Sequence, residues 1–376
     1  MKIPARHRVL ACFAAGGLLL AACGDGGDSS SASADTDNGA DAADAADDEG
    51  AGGGDCAPED VTLIGQVRNQ TNPYEAAWLH GGDIFADSVG AEQQHLTYDS
   101  DSQRQQEQIR QALAGSNLEC TVMNVLPNGD ADTAPIVAAA DAAGAWLVTQ
   151  WNKPEDLDPA DYDRWVAHIT YDGEESGYLI AQAMIEEMGG SGGIIALQGI
   201  LDTAAAQDRF AGLQRALEEH PDVTLLDDQT AGFDRAQALD VTRTLLTAHG
   251  DEVSGIWAAN DDMALGALQA LEAAGRDDVA VVGIDAVPEA IEAIQAGTMT
   301  ATVSSDGPWQ GGIGLAMGYC AATGELDPAS VQDRAFFAEQ FLIEEGNAAD
   351  FAEPQLDLTD FECANVFGRS TGPVGQ

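Results

Sequence analysis

Four apolar runs in the chain each end in a cluster of groups able to read a polar ligand. Residues 61–67 are followed by Arg68, Asn69, Asn72 and Tyr74, and residues 145–150 by Trp151, Asn152 and Lys153. Residues 254–259 are followed by Asn260, Asp261 and Asp262, and residues 279–284 by Asp285. Amides and carboxylates can grip adjacent hydroxyls with paired hydrogen bonds, and flat rings can cover the apolar face of a sugar. Each residue also has a structural reading. Asn72 and Asn260 can cap helices, Pro73 can begin one, and Trp151 can pack beside its strand.

A catalytic set is missing. No P-loop and no His-Glu-x-x-His occurs, and the six histidines are scattered. Gly189-Gly190-Ser191-Gly192-Gly193 satisfies G-x-S-x-G. A nucleophile elbow, however, needs strand, turn, then helix, and this serine follows a helical pattern and precedes a strand. The expectation is a binding protein with no enzyme activity, no cofactor and no metal.

The elements that carry these groups alternate. Strand-like runs at 61–67, 95–98, 121–126 and 145–150 are separated by helical patterns at 74–89, 103–114 and 133–143. A second series begins with a strand at 168–171 and continues with strands at 194–198, 223–227, 254–259, 279–284 and 299–304. Its helices fall at 204–218, 234–248, 262–274, 288–295 and 309–322. Asp202 or Thr203 is placed to cap the 204–218 helix. Such alternation predicts an α/β protein with parallel sheets covered by helices on both faces, and the length predicts two of them, with a boundary near Asp172. In open sheets of this kind ligands sit beyond the carboxyl ends of the strands, where the polar clusters fall.

With 64 acids against 15 bases the formal net charge is −49, which disfavours nucleic acid and anionic membrane surfaces as partners. Residues 1–22 carry three bases and then a 14-residue apolar stretch, too short to span a bilayer. The stretch ends in Leu20-Ala21-Ala22-Cys23, which resembles a lipoprotein lipobox and marks Cys23 for lipidation. Residues 24–55 hold no aromatic, no Val, Leu or Ile and no base; they read as an acidic tether spanning roughly 30 Å as a Gly-rich coil. Cys56, Cys120, Cys320 and Cys363 remain, an even number consistent with two disulfides in an exported domain.

Several ordered pieces give a family resemblance: Thr71-Asn72-Pro73-Tyr74, His168-Ile169-Thr170-Tyr171-Asp172, Arg209-Phe210-Ala211-Gly212-Leu213 and Gly232-Phe233-Asp234-Arg235. The 259–268 segment Ala-Asn-Asp-Asp-Met-Ala-Leu-Gly-Ala-Leu and Val281-Val282-Gly283-Ile284-Asp285 complete the pattern. From about 61 to 347 the chain resembles the periplasmic sugar-binding proteins of ABC transporters, of the ribose-binding type, kin to the lactose-repressor core. The resemblance implies two Rossmann-like lobes with the ligand in the cleft and three crossings, near 172–173, 305–306 and 338–341. The first lobe would comprise 57–172 plus 306–338, and the second 173–305 plus 339–347, leaving 348–376 as a tail. It also implies neighbouring strands that bring Cys56 to Cys120, which leaves Cys320 for Cys363.

The ligand set it implies is Asn72, Tyr74, Trp151, Asn152, Asp172, Arg209, Phe233, Asn260, Asp285 and Ser305. Phe233 could equally be core, and Asp172 either ligand or hinge. Departures from the family pattern at Glu75, at Trp151-Asn152-Lys153 and at Ser305 put ribose itself in doubt, and Arg68 would add a positive group. The function implied is capture of a carbohydrate or similar polar molecule by a monomeric, membrane-anchored, extracytoplasmic lipoprotein that delivers it to an ABC permease. The alternative is a receptor of the same fold acting on a chemoreceptor or sensor kinase.

Overall fold

A computed structural model describes residues 54–352 and 356–374. The expected signal segment, Cys23 and the tether up to residue 53 lie outside the described residues.

The chain builds two mostly parallel sheets. The first contains β1 (Thr62–Val67), β2 (Gln93–Thr97), β3 (Thr121–Val125), β4 (Trp146–Gln150) and β5 (Trp165–Thr170). The second contains β6 (Gly192–Gln198), β7 (Val223–Thr230), β8 (Val253–Ala258), β9 (Ala280–Asp285) and β10 (Ala301–Ser304). The chain then returns to the first sheet as β11 (Ala335–Ala338), visits the second as β12 (Leu342–Glu344), and ends in the first as β13 (Ser370–Pro373). The resulting orders are β13-β11-β5-β4-β3-β1-β2 and β12-β10-β9-β8-β6-β7.

The chain passes between sheets after β5, after β10 and after β11, and a fourth time before β13. Residues 348–376 are therefore more than a tail. β13 pairs antiparallel with β11, and Phe361 is buried edge-on against Phe85. The last two residues of the expected tether are also held, because the Gly54 and Cys56 amides donate to the Ala321 and Ala322 carbonyls. Disulfides join Cys56 to Cys120 and Cys320 to Cys363. The first fits the β1–β3 register, which sets Thr62 opposite Thr121.

The central strands are buried and mostly apolar because helices cover both faces of each sheet, whereas the edge strands β2 and β7 are more polar. In the first lobe these are α1 (Pro73–Ser88), α2 (Ser102–Ala112), α3 (Asp130–Ala143) and α9 (Gly307–Ala322). In the second they are α4 (Gly173–Glu187), α5 (Ala204–Glu219), α6 (Arg235–His249), α7 (Asp261–Ala274) and α8 (Pro288–Gln295). α9 is buried almost all round, against α1 and the first sheet. A side chain at Gly311 would overlap the Trp78 carbonyl oxygen, so only glycine permits that approach. Trp78, Trp146, Trp165, Trp257 and Trp309 are all fully buried, each worth on the order of 5 kcal/mol of transfer free energy.

Some elements run longer than the sequence pattern suggests. α3 begins at Asp130, where Asp130 and Asp132 favour the first turn of a helix. β7 continues to Thr230 through polar residues, because the backbone of its partner β6 pairs with it as far as Gln198. β5 begins at Trp165 and, rather than opening the second series, belongs to the first sheet, where its backbone pairs with β4.

Candidate ligand-binding site

The helices that begin beside the cleft are fixed by the cluster residues themselves. Asn72 Oδ1 accepts from the Tyr74 amide at 2.9 Å, with Pro73 in the first turn. Asn260 Oδ1 accepts from the Met263 amide at 3.0 Å. Thr203, rather than Asp202, caps α5. Capping and facing the cleft are compatible, because an amide that accepts with its oxygen still has its NH2 to donate across the cleft, as Asn72 does to the Phe233 carbonyl.

A cavity of about 50 Å³ lies between the lobes. From the first lobe it receives Asn72, Tyr74, Trp151 and Asn152, and from the second Arg209, Phe233, Asn260 and Asp285. Eight of the ten expected residues thus meet there. Asp172 and Ser305 do not line it. Asp172 Oδ1 caps α4 by accepting from the Glu175 amide at 2.9 Å. Ser305 is fully buried at a crossing, with its amide directed to the Asp285 carbonyl. Both follow strand ends, but the chain leaves its lobe there and turns these side chains away from the cavity.

The cavity is charged and aromatic at once. Arg209 donates to the Ala259 carbonyl at 2.6 Å, and its other terminal nitrogen lies 3.8 Å from Asp285. Its guanidinium carbon is 4.7 Å from the centre of the Trp151 ring and 5.8 Å from that of Phe233. Trp151 Nε1 donates to the Tyr74 hydroxyl at 2.9 Å, and that hydroxyl donates to Gln310. Burial pushes the Asp285 carboxyl well above its usual range, opposed by Arg209 and reinforced by Asp261. Burial likewise pushes Asp261 up to about 7, although Asp261 accepts from Thr302 at 2.7 Å and from the Val287 amide at 3.0 Å.

Arg68 and Glu75 add a second ion pair. Arg68 Nη1 donates to Glu75 at 2.8 Å, while the other Glu75 oxygen accepts from the Asn69 amide at 2.7 Å. Both residues line the cavity and both are buried. Burial raises the Glu75 carboxyl against the pull of Arg68. Thr203, Ala205 and Leu126 complete the wall; their types gave no signal in the sequence. Lys153 is not part of it and donates to the Pro154 and Glu155 carbonyls.

Backbone strain gathers at the same place. Trp151, Phe233, Asp285 and Ala286 have φ of 66°, 59°, 129° and 58°, each a region costing a non-glycine residue about 1–3 kcal/mol. Asn72 Nδ2 donates to the Phe233 carbonyl at 3.2 Å, and the Ala204 amide to Asp130 at 3.1 Å. Both hydrogen bonds run between the lobes. Ser191 is exposed in the turn between α4 and β6, at the amino end of that strand, so its motif is a connector. Among the described residues no group of His, Cys, Asp or Glu is placed to hold a metal ion, and no helix is long and apolar enough to cross a membrane.

Residues 67–326, more than half of the chain, match the family of periplasmic binding protein domains. The chain belongs to the periplasmic binding protein family. This periplasmic binding protein is 42% identical over 139 residues to the ribose import binding protein of Escherichia coli (strain K12), a match covering 37% of the chain and 46% of that protein. The match thus spans about half the length of that relative. The xylitol-binding protein of Mycolicibacterium smegmatis is 27% identical over 317 residues, covering 82% of the chain and 88% of that protein. Among solved structures, a twin-arginine translocation pathway signal protein from Burkholderia phytofirmans superposes with a TM-score of 0.80 at 38% identity. That superposition covers 84% of this chain and 98% of the other. The relatives named for a ligand are binding proteins, not enzymes.

Proposed function

We propose that this protein is an extracytoplasmic, membrane-anchored lipoprotein that captures a sugar or related polyhydroxy molecule between its lobes and delivers it to an ABC permease. The observation that carries the reading is the cavity between the lobes, to which each lobe contributes hydrogen-bonding side chains and an aromatic ring. A ligand there touches both lobes only when they are closed. It therefore stabilises the closed form by its differential contacts, and the closed form is what a permease can recognise. Several paired hydrogen bonds can supply the roughly 8 kcal/mol that a micromolar dissociation constant represents. Lipidation at Cys23 and a monomeric state belong to the same reading.

Thermal melting of the purified protein against pentoses, hexoses, polyols and nucleosides tests it. A ligand that binds only the native state adds about 2.7 kcal/mol at a hundredfold excess over its dissociation constant. A shift with a carbohydrate or polyol, lost in Asp285→Ala, is expected; no shift across the panel in a cooperatively melting protein defeats the reading.

A further inference from the structure

The aromatic faces of the cavity are already engaged. The Arg209 guanidinium lies against both Trp151, at 4.7 Å, and Phe233, at 5.8 Å. Tyr74 meets Trp151 edge-on, with ring centres 6.0 Å apart, and Glu75, next in the chain, presents a carboxylate rather than a ring. No pair of free parallel faces is left to hold a rigid sugar ring between them. What the walls offer instead is hydrogen bonding. Arg68 Nε, Arg209 Nε and Asn152 Oδ1 are buried side-chain atoms with no partner in the protein, and all three residues line the cavity. Two donors and an acceptor thus await a ligand, besides the Asp285 carboxyl.

The charges are balanced within the site. Arg68 is matched by Glu75 at 2.8 Å, and Arg209 by Asp285 at 3.8 Å. An anionic ligand would find no uncompensated cation to repay its desolvation. A neutral molecule with hydroxyls on successive carbons, each both donor and acceptor, can satisfy the unpaired atoms. A flexible one can follow walls that do not face each other as parallel plates.

We infer that the site selects a neutral open-chain polyol over ring sugars and over aldonate anions, with the buried Arg68–Glu75 pair as the element that sets this preference. The inference rests on the solute-binding reading above and narrows it.

Calorimetric titration of the full chain separates the outcomes. Erythritol, ribitol and xylitol form one set. Methyl β-ribofuranoside, methyl β-xylopyranoside and myo-inositol, which cannot open, form the second, and xylonate is the anionic probe. At least one open-chain polyol should bind about tenfold more tightly, or better, than every ring compound and than xylonate. A ring compound or xylonate that binds as tightly as the best polyol overturns the inference and leaves the solute-binding reading standing. Silence from all three sets, in a protein that melts cooperatively, overturns the inference, and the solute-binding reading then stands or falls with the wider melting panel. Glu75→Gln uncovers the Arg68 charge, so the ratio of xylonate to xylitol affinity should rise at least about tenfold; an unchanged ratio in the folded variant removes the role of the pair. If that variant does not fold, Arg68→Gln with Glu75→Gln removes both charges together, and it should weaken the preference for polyols over rings.

Discussion

Arg209, on α5 of the second lobe, places its guanidinium over the ring of Trp151, at the end of β4 in the first. This contact spans the cleft, and the same arginine is tied to its own lobe through the Ala259 carbonyl. One side chain therefore couples the position of one lobe to the ligand-facing wall of the other.

Arg209→Ala should weaken ligand binding about 10- to 100-fold, the loss expected for charge-assisted hydrogen bonds. Arg209→Lys should recover only part of it, because an ammonium cannot stack and fork at once. Titration of both variants with the best ligand checks this; equal affinity in the wild type and the alanine variant would remove Arg209 from the site.

Tryptophan emission should report occupancy through one residue. Of the six tryptophans, only Trp151 lines the cavity; the other five are at most 1% exposed within the lobes. Ligand should change the emission of the wild type, and the change should vanish in Trp151→Phe while a melting shift persists in weakened form.

Asp261 should contribute a loss of stability as pH rises from about 4 to about 7. Unfolded aspartates release their protons near pH 3.9, whereas burial pushes Asp261 up to about 7 in the folded protein. Between those values the folded form holds the extra proton, so deprotonation works against folding. His168, pushed down to about 3 by burial, acts oppositely below about pH 6.5. The change in melting temperature on going from pH 5 to pH 8 should therefore be more favourable in Asp261→Asn than in the wild type; an identical change would free Asp261 from this role.

Reducing the disulfides should destabilise the first lobe selectively. The bridges close sequence separations of 64 and 43 residues, and loss of each typically costs about 2–4 kcal/mol. Urea titration with and without reductant, followed by hydrogen exchange, should show protection lost from β1 and β3 before β6 and β8.

Much of the architecture was legible because strand and helix periods differ and the second lobe repeats the plan of the first. The cleft residues were legible because polar clusters at the carboxyl ends of apolar runs have one place to go in such sheets. Asp172 and Ser305 obey the same positional rule, yet they sit where the chain changes lobes, and no local pattern reveals that turn. The Arg68–Glu75 pair was readable only as two departures, since an ion pair seven residues apart forms only once a strand and a helix have been placed together. The positive φ values at Trp151, Phe233 and Asp285 are imposed by tertiary packing and leave no trace in residue type. The 370–373 strand is too short, and too rich in Gly and Pro, to announce itself.

Both covalent bridges belong to the first lobe, and so does the hydrogen bond that fixes Gly54 to the end of α9. A load entering at Gly54, the first described residue, therefore ends in that lobe without crossing to the second sheet. Pull applied at Gly54 would be borne by a cross-braced frame, and in the proposed closing motion the second lobe, which carries no bridge among the described residues, would be the jaw that moves. If the lobes open and close as proposed, the first lobe would serve as the stator of the device, with Gly54 tied to it rather than to the moving part.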